Sequence, residues 1–150
     1  MLNYTLMALF ERDLKRVINE LELYRNEADL WRVEKEIANS AGNLVLHLIG
    51  NLNTYIGKEL GQTGYVRNRE LEFSQKDVPR EELIAKVNET ITVIKNALPA
   101  VTDEMMQREY PLVVLQEGTS TEYFLVHLST HLNYHLGQIN YHRRLVGDRF

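Results

Sequence analysis

A chain of 150 residues, 44% hydrophobic and 25% charged, is sized for one globular domain over residues 1–150, able to bury about 70% of the surface its unfolded form exposes. Its net charge of −4 comes from interspersed acids and bases, which leaves no footprint for a phosphate backbone and argues against nucleic acid as a partner. Cysteine is absent, so disulfides, thiolate ligands and a cysteine nucleophile are excluded, and any metal must be held by His, Asp or Glu.

From Asn3 to about Asn26, Leu6, Leu9, Phe10, Leu14, Val17, Ile18, Leu21 and Tyr24 recur at three- and four-residue intervals, the pattern of an amphipathic helix. The apolar patch at Leu6 to Phe10 runs directly into Glu11, Arg12 and Asp13, and Met1 is followed by no basic stretch. That is not the pattern of a secretion signal. No apolar run approaches the roughly 20 residues that span a bilayer. The expectation is a cytoplasmic protein with no membrane partner.

A polar connector carrying Trp31 leads to Asn39 and Ser40, residues suited to cap a second helix running to about Leu60. Val45, Leu46, Leu48, Ile49, Leu52 and Ile56 make it apolar around much of its circumference, so it should be the most buried helix. Gly61 to Val78 is polar and reads as a long crossover loop, with turn signals at Gly61, Gly64 and Pro79. Pro79 then suits the first turn of a third helix. Leu83, Ile84, Val87, Ile91, Ile94 and Leu98 form its apolar side, and Pro99 ends it.

Residues 100–118 are mixed, with a short extended piece expected at Leu112 to Leu115. Thr119-Ser120-Thr121-Glu122 fits a capping box that opens a last helix running to about Val146. Four amphipathic helices joined by long connections give an all-α chain, most naturally a four-helix bundle with crossover connections.

The last helix also carries four of the chain's five histidines. His127, His131 and His135 are spaced by four, which leaves neighbouring imidazoles about 40° apart and one turn displaced. Either His127 with His131 or His131 with His135 is placed to chelate one ion. All three together are not, because the outer two are about 80° and two turns apart. The fifth histidine, His47, lies among Leu46, Leu48 and Ile49, where an unpaired imidazole is costly. If the second and last helices pack face to face, His47 completes a three-histidine site.

Neutral imidazole suits zinc, nickel, copper and iron, so the ligands do not select among them. Asn43 and Asn51, four residues either side of His47, and Gln138, seven after His131, are placed to line the same cavity or to bond a ligand. Capping or interhelical hydrogen bonding would account for them equally. Gly137, inside a helix, implies close approach of another helix. His142 reads as structural.

Three stretches together resemble the DinB-like superfamily, and within it the DUF1572 group: Asn39-Ser40-Ala41-Gly42-Asn43-Leu44-Val45-Leu46-His47-Leu48-Ile49-Gly50-Asn51, Arg67-Asn68-Arg69-Glu70-Leu71-Glu72-Phe73-Ser74, and His131-Leu132-Asn133-Tyr134-His135-Leu136-Gly137-Gln138-Ile139. The resemblance implies a four-helix bundle, commonly a homodimer, with a divalent metal such as zinc, nickel or iron. By motif the ligands fall on His47, His131 and His135, and His127 matches a position that is not a ligand. Some relatives of that superfamily are thiol-dependent transferases using bacillithiol, mycothiol or glutathione.

Three histidines leave a coordination position open. The leading expectation is therefore a metal-dependent thiol S-transferase of detoxification type, with a low-molecular-weight thiol as cosubstrate and a small molecule as substrate. A metal-dependent hydrolase is the alternative enzyme, weakened because Glu59 and Glu122 lie about three turns from the histidines and no nearer carboxylate is evident. A metal- or ligand-binding dimer without catalysis is the third reading. Arg67 and Arg69 are candidates to recognise the thiol's carboxylates, with Tyr65 and Phe73 as pocket walls. The favoured account of the arginines is that they pair with Glu70, Glu72 or other acids and pin the loop. Trp31 fits core and pocket equally.

Overall fold

A computed structural model describes residues 1–147. Among these the chain is helical, with no strand and one isolated bridge between Glu109 and Ser120. Helix α1 spans Leu2–Leu23 and α2 spans Ala41–Leu52, the latter continuing through a π-helical segment, Asn53–Lys58, into a last turn at Glu59–Gly61. Four more follow: α3 (Arg69–Ser74), α4 (Arg80–Ala97), α5 (Asp103–Gln107) and α6 (Thr121–Gly147). Among the described residues no helix is long and apolar enough to cross a membrane.

The apolar stripes seen in the sequence meet in one core. Leu6, Phe10, Leu14, Val17 and Leu21 of α1 face Leu83, Val87 and Ile94 of α4 and Leu125, Leu128, Leu132 and Ile139 of α6, all buried. Helix α1 packs on α4 and α6, and α2 packs on the same two. Every residue of α2 is buried, as expected, because α3 and the short turn Glu27–Trp31 cover the sides that α4 and α6 leave open.

Polar ties fix the register of α1 against α6. The buried carboxylate of Asp13 accepts from Asn133 at 3.0 Å, and that of Glu20 accepts from Asn140 at 2.7 Å and Arg143 at 2.6 Å. Bonds of this kind, to an ionised and largely buried acceptor, hold a geometry more firmly than surface pairs do.

The sequence reading needs four corrections. Residues 61–78 are not one loop: Asn68 accepts from the Leu71 amide and caps α3 inside them. Residues 100–118 hold α5, capped by Thr102, whereas Leu112 to Leu115 form no strand and are exposed. The last helix is capped one residue later than the expected box, since Ser120 Oγ accepts from the Tyr123 amide while the Thr119 hydroxyl turns back to the Gln116 carbonyl. A side chain at Gly137 would meet nothing within 4 Å, so no helix approaches there.

The π-helical segment has a local cause. Asn53 is buried, and its side-chain amide donates to the Ile49 carbonyl at 2.8 Å and to Thr90 Oγ1 at 2.9 Å. A side chain competing for a helix carbonyl loosens the ladder at that turn, and such π turns recur beside functional positions. Here it begins six residues after His47.

Candidate metal centre

Helix α2 delivers His47, and α6 delivers His131 and His135 one turn apart. The packing of α2 on α6 brings the three together: His47 Nε2 lies 3.2 Å from His131 Nε2, and His135 Nε2 lies 3.1 Å from it. One ligand atom from each of the three falls within 4.8 Å of the others. With metal–nitrogen bonds of about 2.0–2.1 Å, tetrahedral nitrogens stand about 3.3–3.4 Å apart, so the two spacings to His131 match a shared ion to within a few tenths of an ångström.

Two of the rings are oriented from behind. His47 Nδ1 donates to Glu72 Oε1 at 3.1 Å, and His135 Nδ1 donates to Gln138 Oε1 at 2.7 Å. These bonds assign both Nδ1 atoms the proton and leave both Nε2 lone pairs aimed inward. The single proton among the three converging nitrogens is then that of His131 Nε2, shared between two acceptors, while His131 Nδ1 is buried with no hydrogen-bond partner among the described residues. A cation taking all three lone pairs would move that proton to Nδ1 and remove the crowding. The donor set therefore fits a divalent ion of the kind imidazole prefers.

Electrostatics favour neutral rings at His131 and His135 and a charged carboxylate at Glu72. Burial, reinforced by His135 and His47, pushes the His131 imidazole down to about 4. Burial also lowers His135, against the opposing effect of its bond to Gln138. Burial works to raise the Glu72 carboxyl, but hydrogen bonds from His47 and Arg67 outweigh it and hold the group below the usual range. Protons thus compete little for the His131 and His135 lone pairs at neutral pH, and a carboxylate stands behind His47, an arrangement that raises ligand basicity.

Glu72 is the residue that sequence reasoning missed as a partner of the histidines. The residue is 6% exposed, and its carboxylate takes Arg67 in a two-pronged pair, Nε to Oε2 at 2.8 Å and Nη2 to Oε1 at 3.0 Å. Two signals pointed toward it. Asn68 with acids in the following turn marks a helix start, and Gly50, three residues after His47, leaves the face beside the ligand open. The Glu72 carboxylate occupies that opening: a Cβ on residue 50 would lie 1.8 Å from Glu72 Oε2.

The other candidates divide. Gln138 touches a ligand. Asn43 supports the centre at one remove, donating to the Glu72 and Gln75 carbonyls at 2.9 and 2.8 Å and accepting from Ser40 and Lys76. Asn51 is buried, and its Oδ1 bonds to nothing among the described residues. His127 stacks on Phe124 with ring centroids 5.9 Å apart and stays 6.4 Å from His131, so of the two pairs left open by spacing it is His131 with His135 that converges.

Arg67 pins the connector through Glu72, as favoured, while Arg69 is exposed and outside the cluster. Phe73 walls the site, its ring 5.0 Å from His47. Trp31 packs flat over Gly42, where a Cβ would meet its ring at 2.6 Å.

The model of one protein family, described as "Protein of unknown function (DUF1572)", matches residues 6–149. No curated protein matches the chain.

Proposed function

Since the chain belongs to the DUF1572 family, whose description assigns no activity, we propose its function from the site: a divalent-metal-dependent enzyme that uses His47, His131 and His135 as ligands and acts on a small molecule. The observation that carries this reading is the convergence of three imidazole nitrogens at 3.1 and 3.2 Å, two of them oriented by Glu72 and Gln138. Three protein ligands are the number found at catalytic sites, where a further position stays open for substrate, whereas structural sites close with four.

The finer reading is a thiol S-transferase of detoxification type within a DinB-like four-helix bundle, and its support is the motif resemblance. A divalent ion held here would supply Lewis acidity that favours ionisation of a bound thiol. The chain's own part is to present three converging imidazole nitrogens, to fix the His47 ring through the Glu72 and Arg67 pair, and to shield the cluster with Phe73. Glu72 does not convert the site into a hydrolase. Its carboxylate meets Nδ1, the far side of the His47 ring from the converging nitrogens, and is already paired with Arg67. Nor does Arg67 serve a thiol's carboxylate while it holds Glu72.

The first test is metal content of full-length protein loaded with Zn2+, Ni2+, Fe2+ or Co2+ in turn, beside the folded His131→Ala/His135→Ala variant. About one ion per chain, lost in the variant, is expected. No retained ion in the wild type overturns the reading. Loaded protein is then offered thiols with aryl and alkyl electrophiles, and separately esters and amides: thiol-dependent conjugation supports the transferase, and thiol-independent cleavage replaces it with a hydrolase. The resemblance also implies a homodimer, an expectation that light scattering showing a monomer at micromolar concentration would remove.

A further inference from the structure

The face of α6 beside the metal cluster carries a row of large residues in helical register: Tyr134, Tyr141 and Leu145, exposed at 65%, 63% and 55%. They do not stand on a flat surface. The connector before α2 rises opposite them, and between the two runs a cleft of about 610 Å³, floored by Leu44 and walled on the connector side by Ile37 and Ala38. His135 and Gln138 form one end of it. This volume lies within the roughly 300–1,000 Å³ of sites that enclose a small organic ligand.

The chemistry of the walls is selective. Among the described residues no lysine or arginine lines the cleft, and the one carboxylate on it is the exposed Glu36; Lys35 lines a smaller adjoining hollow instead. His142 contributes only its ring, because Nδ1 lies 2.7 Å from the Tyr24 hydroxyl and Nε2 lies 2.9 Å from the Arg32 carbonyl. Arg67, the base nearest the ligands, is turned to Glu72. An anion entering here would give up hydration, find no cation to receive it among the described residues, and face Glu36. Two tyrosine rings among aliphatic side chains favour an aromatic body, which gains from offset or edge contacts beyond its buried area.

We propose that this cleft binds a neutral, largely apolar aromatic molecule with one end against His135. That the molecule is the enzyme's substrate rests on the metal-centre reading; that it binds does not.

The experiment uses full-length protein loaded with Co2+, titrated with the neutral dye N-phenyl-1-naphthylamine by fluorescence, with 1-naphthoate as an anionic competitor. Ala38→Trp fills the cleft and Leu145→Asp charges its wall. Both positions are exposed and outside the metal ligands, and circular dichroism confirms that the variants fold. Saturable one-to-one binding is expected, weaker by about tenfold or more in both variants and for naphthoate, a difference in line with loss of pocket complementarity. The visible Co2+ absorption should survive in the variants and shift when the dye binds to wild type.

Absence of saturable binding, variants that bind like wild type, naphthoate that competes as well as the neutral dye, or a Co2+ spectrum indifferent to bound dye each overturns the proposal. Protein that holds no Co2+ yet binds the dye in a variant-sensitive way refutes the metal centre and upholds the cleft. Protein that holds Co2+ and ignores the dye does the reverse.

Discussion

Glu72 reaches His47 only because residue 50 has no side chain. Alanine at position 50 would place its Cβ 1.8 Å from Glu72 Oε2 and 2.6 Å from the carboxyl carbon, so the carboxylate would have to leave α2 and take Arg67 with it. Loss of a group that orients a metal-bound histidine costs about 10- to 100-fold in metal affinity. Gly50→Ala and Glu72→Ala should fall near the upper end of that range. Glu72→Gln, which keeps an oxygen for His47 Nδ1 but leaves Arg67 without its counter-charge, should fall near the lower end. Competition with a chromophoric chelator for Co2+ measures all three, and a Gly50→Ala protein that binds like wild type would show that Glu72 does not orient the ligand. The histidine cluster was legible in part: four-residue spacing and a histidine inside an apolar run are local patterns, but they left His127 with His131 and His131 with His135 both open, and only the motif resemblance chose the second pair. Glu72 was not legible as their partner. Its position depends on where the 62–79 connector folds back, and that is fixed by Asn43, 29 residues earlier, which holds the Glu72 carbonyl.

The long helices follow from periodicity, since each buries one stripe, and their existence was readable to within a few residues. Helices α3 and α5 were not. At six and five residues they are far below the length at which propensity sustains a helix in water, and they persist through their Asn68 and Thr102 caps and the surfaces they lie on. At this scale His142 ties the end of α6 to Tyr24 and to the connector carbonyl of Arg32. In the neutral ring Tyr24 donates to Nδ1 and Nε2–H donates to the carbonyl. Burial lowers the His142 imidazole from its ordinary 6.5, against the opposing pull of the Arg32 carbonyl. For a base depressed in the fold, its contribution is complete above the unfolded value near 6.5 and is lost as pH falls from there toward the folded value. Urea midpoints of metal-free protein should therefore fall between pH 7 and pH 5 by more than those of His142→Gln, the difference isolating this group from the ligand histidines. His142→Ala, leaving two buried polar partners unsatisfied, should cost about 1–3 kcal/mol. Parallel pH profiles for wild type and His142→Gln would show that the ring does not titrate with folding.

For the molecule as a whole, the centre joins parts of the chain that are far apart in sequence. His47 and His131 are 84 residues apart, and the Glu72 support belongs to a connector whose exposed residues outnumber its buried ones. The unfolded chain cannot hold these groups in one place, so an ion bound to the native state stabilises it by mass action, by about 2.7 kcal/mol at a free concentration 100 times the dissociation constant. In a domain of this size each kcal/mol moves the melting temperature by about 2–4 °C. Saturating Zn2+ or Co2+ should therefore raise the midpoint by about 5–10 °C, and a chelator should return it. Mg2+, which prefers oxygen ligands and sheds water reluctantly, should leave it unchanged. His131→Ala/His135→Ala removes side chains that are half-exposed and lie outside the apolar core, so the variant should melt close to the metal-free wild type and show no response to Zn2+. An equal rise in that variant would mean that the stabilising ion sits elsewhere on the chain, and the three converging histidines would then be packing and not a centre.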